Sequence, residues 1–404
     1  MNRLLAALLA ALTLLSLTAC GSAPQTAEPA PEPSPPAAEE PAPPPEPEPE
    51  PTPEELAAEQ VETLLGSLTL EEKVGQLFFV RCPAENAVED VSTYHLGGYI
   101  LFGRDFQDSS GNWLTEEQFT QTIQHYQAAA SIPLLIGSDE EGGSVTRASR
   151  NPNLFPNGSF HSPQYLLNHQ QESHNVFSAD AWEKNNALLR YGINVNLAPV
   201  CDVSTDPSAF IYKRTLGQDA LATASYVTSV VTAMRDCGMG SVLKHFPGYG
   251  NNADTHTGIA VDDRPYEDFV NGDFLPFSAG FESGGAMTAV LVSHNIVACM
   301  DPDLPASLSP NVHRILREEL GFDGVVMTDD LAMDAVAAYA EDGAVAVMAL
   351  TAGNDLVLTT DYRTQIPKVI EAVENGTLDE AAIDAACRRV LRWKQALGLL
   401  EDLT

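Results

Sequence analysis

Eight short apolar runs recur between helix-like stretches from residue 74 to residue 359. They cover 74–80, 97–102, 134–140, 194–203, 241–248, 287–295, 324–330 and 354–359. Segments 115–130, 177–191, 219–237, 309–320, 331–350, 362–375 and 379–398 read as helices. A run that is apolar throughout and bounded by polar residues suits a parallel strand covered on both faces. Thr69 with Glu72, and Thr115 with Gln118, have capping-box spacing and mark helix starts. Eight strand–helix repeats are the count of an α/β chain closed as a (β/α)8 TIM-type barrel, here one domain over 54–404. A doubly wound open sheet shares the alternation.

What favours the barrel is where the polar residues fall. Arg104, Asp139, Asp202, Lys244, His245, His294, Asp329 and Asp330 lie at or just past the C-terminal ends of the runs. A barrel keeps its active site at that rim. Helix capping explains some of the aspartates but not a Lys-His pair. The densest segment is 244–258, Lys-His-Phe-Pro-Gly-Tyr-Gly-Asn-Asn-Ala-Asp-Thr-His-Thr-Gly. Gly248 and Gly250 permit unusual backbone angles and close approach of a ligand. Asp254 and His256 stand two apart, so an extended loop puts them on one side. There the carboxylate can orient the imidazole and favour its charged form, which makes an acid/base unit. Asp329, ending the seventh run, sits where a barrel enzyme keeps a nucleophile. Asp330 is expected to turn the other way and cap the next helix. Asp139 ends the third run and can accept two hydroxyls, with Arg147 close enough to neutralise or position it.

The chain has 404 residues, 21 Lys+Arg against 56 Asp+Glu, and a formal net charge of −35. That balance excludes nucleic acid as a partner, because phosphate backbones need a basic patch. Residues 1–19 join one arginine to an apolar stretch too short to span a bilayer comfortably, as in an export signal. Residues 20–53 are rich in proline and glutamate and cannot bury a core, so a solvated tether is expected. Five further cysteines, Cys82, Cys201, Cys237, Cys299 and Cys387, are dispersed without a CxxC pair. This argues against a disulfide framework or a zinc site and for buried thiols.

Taken together, TLEEKVGQLF at 69–78, GGYILF at 97–102, DEEGGSVTR at 139–147, NVNLAPVCDV at 194–203, KHFPGYG with DTHTG, and GFDGVVMTDDLAM resemble glycoside hydrolase family 3. The likeness is to its single-domain bacterial β-N-acetylglucosaminidase (β-N-acetylhexosaminidase) branch. The resemblance implies that the barrel is catalytic, that Asp329 is the nucleophile, and that His256 is the general acid/base with Asp254 as its partner. It implies that Asp139, Arg147, Arg214, Lys244 and His245 hold the terminal sugar. Leu17-Thr18-Ala19-Cys20 resembles the bacterial lipobox, which implies a lipid-anchored, extracytoplasmic protein with Cys20 lipidated and the membrane as a partner. No cofactor or metal is expected, and a monomer is expected. The implied activity is retaining, exo-acting hydrolysis of β-linked N-acetylhexosamine from cell-wall-type saccharides such as peptidoglycan fragments. Three alternatives stay open: a phosphorylase, an inactive wall-glycan binding protein, and a metal-dependent hydrolase using Asp139, His245, His256 or His294. Glu140, Ser144 and Tyr249 depart from the family's Gln-Glu-Gly-Gly-Arg and Phe-Pro-Gly-His-Gly patterns, and these changes are expected at the rim.

Overall fold

A computed structural model describes residues 51–169, 175–250, 260–337, 339 and 344–403. Cys20 and the segments 1–19 and 20–50 lie outside the described residues, as do Asp254 and His256. Eight parallel strands form one sheet. They are β1 (Phe78–Arg81), β2 (Gly98–Leu101), β3 (Leu135–Ser138), β4 (Val195–Asn196), β5 (Gly240–Phe246), β6 (Thr288–Val292), β7 (Val326–Thr328) and β8 (Val357–Thr359). β1 to β7 pair in chain order, and β1 also pairs with β8 through Phe78–Val357 and Phe79–Leu358. A parallel bridge between Met327 and Leu356 links β7 to β8, so the ring closes as a (β/α)8 TIM-type barrel.

The strands are buried on both faces, as continuous apolar runs require. Inside the ring, Phe79 takes the space that a side chain at residue 137 would need. A Cβ on Gly137 would lie 2.4 Å from Phe79 Cζ. Helices cover the outside, among them Glu116–Ala129, Val176–Arg190, Ala220–Cys237, Tyr362–Glu374 and Glu380–Ala396. Both expected capping boxes form. Glu72 N–H donates to Thr69 Oγ1 at 3.3 Å and Gln118 N–H to Thr115 Oγ1 at 3.3 Å.

Several boundaries differ from the sequence reading. The Thr69 box starts a helix running to Gln76, so Val74–Gln76 are helical and the first strand begins only at Phe78. In the fourth run only Val195 and Asn196 make regular ladder pairs. Pro199 has no N–H to donate, which limits the ladder there. The expected helix 331–350 contains separate helices Asp334–Ala337 and Val345–Ala352. Cys82, Cys201 and Cys387 are buried free thiols as expected, but Cys237 is half-buried and Cys299 is exposed.

One buried charge lies far from the strand ends that matter for function. Lys394, on the last long helix, is completely enclosed, with Nζ 2.6 Å from Gln76 Oε1. Burial pulls its pKa down to about 7. An unfolded chain releases that proton only near pH 10.4. Between these values the unfolded state holds a proton that the folded state lacks, so this group's effect on stability improves as pH rises from about 7. Lys394→Met should therefore raise the melting temperature most at pH 7 and below. Calorimetry from pH 6 to 8.5 should show the gap to the unsubstituted protein narrowing as pH rises.

Candidate active site

The C-terminal rim of the barrel surrounds a cavity of about 520 Å³. Asp139, Arg147, Arg214, Lys244, His245 and Asp329 all line it. Six of the eight residues that the resemblance assigns to catalysis and sugar binding are thus brought together. They come from segments up to 190 positions apart, because parallel strands aim all their C-terminal ends at one face. The other two, Asp254 and His256, fall in the undescribed stretch between Gly250 and Ala260.

Lys244 and His245 are consecutive, and in a regular strand their side chains would point to opposite faces. The pairing of β5 with β6 shifts register between Leu243 and Phe246. Across that irregularity both side chains reach the cavity, as strand irregularities beside active sites often allow. Lys244 Nζ lies 2.8 Å from Asp139 Oδ1 and 2.7 Å from Glu141 Oε1. Arg214 grips Glu141 with two bonds, Nε to Oε2 at 3.0 Å and Nη2 to Oε1 at 2.7 Å. Burial alone would raise the Glu141 pKa, but the Arg214 and Lys244 charges outweigh it and hold the carboxyl well below the usual range. Burial likewise disfavours the Lys244 ammonium, and Asp139 with Glu141 reverses that, so its pKa is raised.

Arg214 also fixes His245. Its Nη2 lies 3.1 Å from His245 Nε2, and a guanidinium can only donate. The ring proton is therefore assigned to Nδ1, which donates to Asp202 Oδ2 at 2.8 Å. Asp202 accepts two backbone bonds as well, from His245 N–H at 3.1 Å and Tyr249 N–H at 2.6 Å. Arg147 Nη2 stands 3.5 Å from Asp139 Oδ2, in keeping with the positioning role read from the sequence. Arg147 and Arg81 both lie over the Phe102 ring, at 5.5 Å and 4.5 Å from its centre. Such cation–π contacts hold guanidinium groups in place beside a binding site.

Asp329 follows β7 directly. Its backbone N–H donates to Val292 O at 3.0 Å, and its Oδ1 accepts from Asp330 N–H at 2.8 Å. Asp330 does not cap the next helix. It lines the cavity beside Asp329, with Oδ1 accepting from Ala332 N–H at 3.0 Å in a local turn. A short turn separates it from Asp334–Ala337, so a cap there would need a later residue. Burial raises the Asp330 pKa, and the Asp329 charge adds to that rise.

Other expectations also change. Arg104 bonds Cys82 O and pairs with Asp105, and it does not line the cavity. His294 is enclosed, with Nδ1 2.7 Å from Ser307 Oγ and Nε2 3.1 Å from Asp330 O. Glu140 does not reach the rim. It is fully buried and accepts the backbone N–H groups of Arg147, Ala148 and Ser149. It thereby organises the loop that carries Arg147, while Ser144 does line the cavity. Tyr249 is buried against the His245 ring. The close approaches at Gly248 and Gly250 are to the protein itself. A Cβ on Gly248 would fall 2.1 Å from Asp273 Oδ1, and one on Gly250 2.7 Å from Arg264 Nη2. Among the described residues no group of three or more His, Cys, Asp or Glu side chains is arranged to hold a metal ion.

The sequence profile of the glycosyl hydrolase family 3 N-terminal domain matches residues 69–393. The chain belongs to glycosyl hydrolase family 3. This family 3 chain is 32% identical over 312 residues to a protein of Stenotrophomonas maltophilia named beta-hexosaminidase, covering 76% of this chain and 88% of that one. Its structure is similar to that of a beta-N-acetylhexosaminidase from Beutenbergia cavernae, at 30% identity and a TM-score of 0.70, covering 82% of this chain and 99% of the other. It is also similar to a family 3 beta-N-acetylglucosaminidase from a Paenibacillus species, at 29% identity and a TM-score of 0.72. There the match covers 82% of this chain but only 63% of the longer protein. The family 3 chain is an enzyme, a glycoside hydrolase.

Glu141 and Arg81 did not stand out as site residues in the sequence, and Asp202 stood out only as a polar strand end with no assigned role. Glu141 could have been found, since it stands two positions from Asp139 and follows the same strand end. Arg81 ends a run whose limits were misplaced by the helix before it. Glu141→Gln leaves Lys244 and Arg214 short of a buried counter-charge and should cost about 3–5 kcal/mol at pH 7. The native Glu141 pKa is depressed, so its contribution is present above about pH 4.3 and lost as pH falls below that. Denaturant titrations at pH 7 and pH 3.5 should show the difference between the two proteins shrinking on acidification.

Proposed function

We propose that this glycoside hydrolase is a retaining exo-β-N-acetylglucosaminidase that removes terminal β-linked N-acetylhexosamine from cell-wall-type saccharides. The observation that carries the reading is that Asp329 and the Asp139–Lys244–Arg147 cluster line one cavity. Hexosaminidase names among the relatives support the choice of sugar.

In this mechanism the terminal sugar gives hydroxyl hydrogen bonds to Asp139. Lys244 and Arg147 hold that carboxylate in place, and Glu141, Arg214 and His245 hold Lys244 and the floor beneath it. Asp329 attacks the anomeric carbon as the bond to the leaving oxygen breaks, forming a glycosyl-enzyme ester. His256, protonated and backed by Asp254, gives its proton to the leaving oxygen. The neutral imidazole then takes a proton from water, whose oxygen attacks the anomeric carbon and releases Asp329 as a carboxylate. Most retaining glycosidases use two carboxyl groups, so a His-Asp pair in the acid role is a departure from that plan.

The N-terminal segment extends the reading. We infer that Cys20 is lipidated after export and that the 20–53 tether lets the barrel reach the wall from the membrane. Replacing Cys20 with alanine should shift the protein from the membrane fraction to the soluble extracytoplasmic fraction, as followed by immunoblot of fractionated cells.

Turnover of aryl glycosides that differ at C2 should favour the acetamido sugar. Asp329→Ala should abolish it while leaving the melting temperature near that of the unsubstituted enzyme. A slowed fluorinated donor should add its mass to the peptide containing Asp329, and label on another peptide would overturn the nucleophile assignment. His256→Ala should cost roughly 10²–10⁴-fold on an alkyl glycoside and far less on a nitrophenyl glycoside, whose leaving group barely needs a proton. Equal losses on both substrates would place His256 in a structural role.

A further inference from the structure

We propose that Phe210, backed by Tyr249, is the stacking platform for the second sugar ring of the glycan, the ring released with the leaving group. The proposal rests on the glycosidase reading above and adds a subsite to it. Phe210 is 41% exposed, yet it lines the same cavity as Asp329. Isolated exposed apolar side chains are ordinary on a surface. An exposed aromatic ring at the mouth of a cavity that binds sugar is a different case, because the ring has a ligand to meet.

The backbone around Phe210 is anchored. Ile211 is fully buried next to it. Ala209 N–H donates to Asp206 O at 3.0 Å, and Tyr212 N–H donates to Ala209 O at 3.2 Å. Arg214, at the end of the same segment, is held by Glu141. The ring is supported from behind too. Tyr249 lies 5.9 Å away, centre to centre, at 44°, and itself packs edge-on to His245 at 5.5 Å and 78°. His245 and Phe210 both line the cavity, His245 at 5% exposure and Phe210 at 41%, while Tyr249, at 2%, stands behind them. The lining therefore leads from the floor, where His245 borders the terminal sugar, out to the mouth. Tyr249 stands where the family pattern has a histidine, so the ring that supports Phe210 from behind is a phenol.

A β-linked pyranose with equatorial substituents presents a face of axial C–H bonds. Such a face is apolar and packs on an aromatic ring, while its hydroxyls stay in water. A cavity of about 520 Å³ falls within the roughly 300–1,000 Å³ range of pockets that enclose drug-sized ligands. The exposed Phe210 ring in the same lining as Asp329 fits the next pyranose of a β-linked glycan as its occupant.

The test compares kcat/KM on the β-linked disaccharide of N-acetylglucosamine with that on its methyl glycoside, which has no second ring. Phe210→Ala should lower the disaccharide-to-methyl ratio about three- to tenfold, the size of one aromatic contact. Phe210→Trp should restore the ratio or raise it. An unchanged ratio in Phe210→Ala, or a Trp variant no better than Ala, would overturn the platform while leaving the glycosidase reading intact. Absence of turnover by the unsubstituted enzyme on both glycosides would overturn the N-acetylglucosaminidase reading and the subsite with it.

Discussion

A buried carboxylate, Glu141, sits between two cations, and the rim of the barrel is organised around it. Its two oxygens engage Arg214 and Lys244, and Lys244 passes the connection on to Asp139. Arg214 continues it through His245 to Asp202, which in turn holds the backbone of Tyr249. Charges removed from water are tolerable only when each is paired and hydrogen-bonded. That requirement makes the network rigid, because any displacement exposes a buried ion without its partner. The third-strand loop, the fifth strand and the segment ending at Arg214 are locked together, and the groups that face a ligand inherit their positions from that lock.

The barrel supplies the frame on which this network can form. Its strands are as short as two to seven residues, and their parallel pairing sets a common end for them all. The strand ends are rigid, while the chemistry sits on the first residues beyond them, as with Asp139 and Asp329. A regular strand would have sent Lys244 or His245 away from the cavity. The register shift in β5 lets both contribute, and that change is local enough to leave the ring closed. Phe210 shows the same division of labour, with Ile211 planted in the interior and the neighbouring ring left at the mouth.

Much of this is legible in the amino-acid sequence. The apolar runs gave eight strands in the right order, because a strand covered on both faces has no polar alternation to confuse it. The capping boxes at Thr69 and Thr115 gave helix starts, because those bonds are local to four residues. Asp139, Arg147, Arg214, Lys244, His245 and Asp329 were all placed on one cavity. Errors appeared where a residue's role depends on distant partners. Glu140 looked like a rim residue and is instead buried under its own loop. Asp330 looked like a cap, and His294 looked like a rim group.

The sequence by itself determined the alternation of strand and helix, the polar ends of the runs, and membership of a glycosidase family through motifs spread across most of the chain. These are properties of short segments, set by hydrophobic periodicity, capping and turn chemistry within a few residues. Only the tertiary structure decided which charges pair. Glu141 meets Arg214 across 73 positions and Lys244 meets Asp139 across 105. No local pattern encodes such pairs, because they exist only after the ring closes and excludes water from between them.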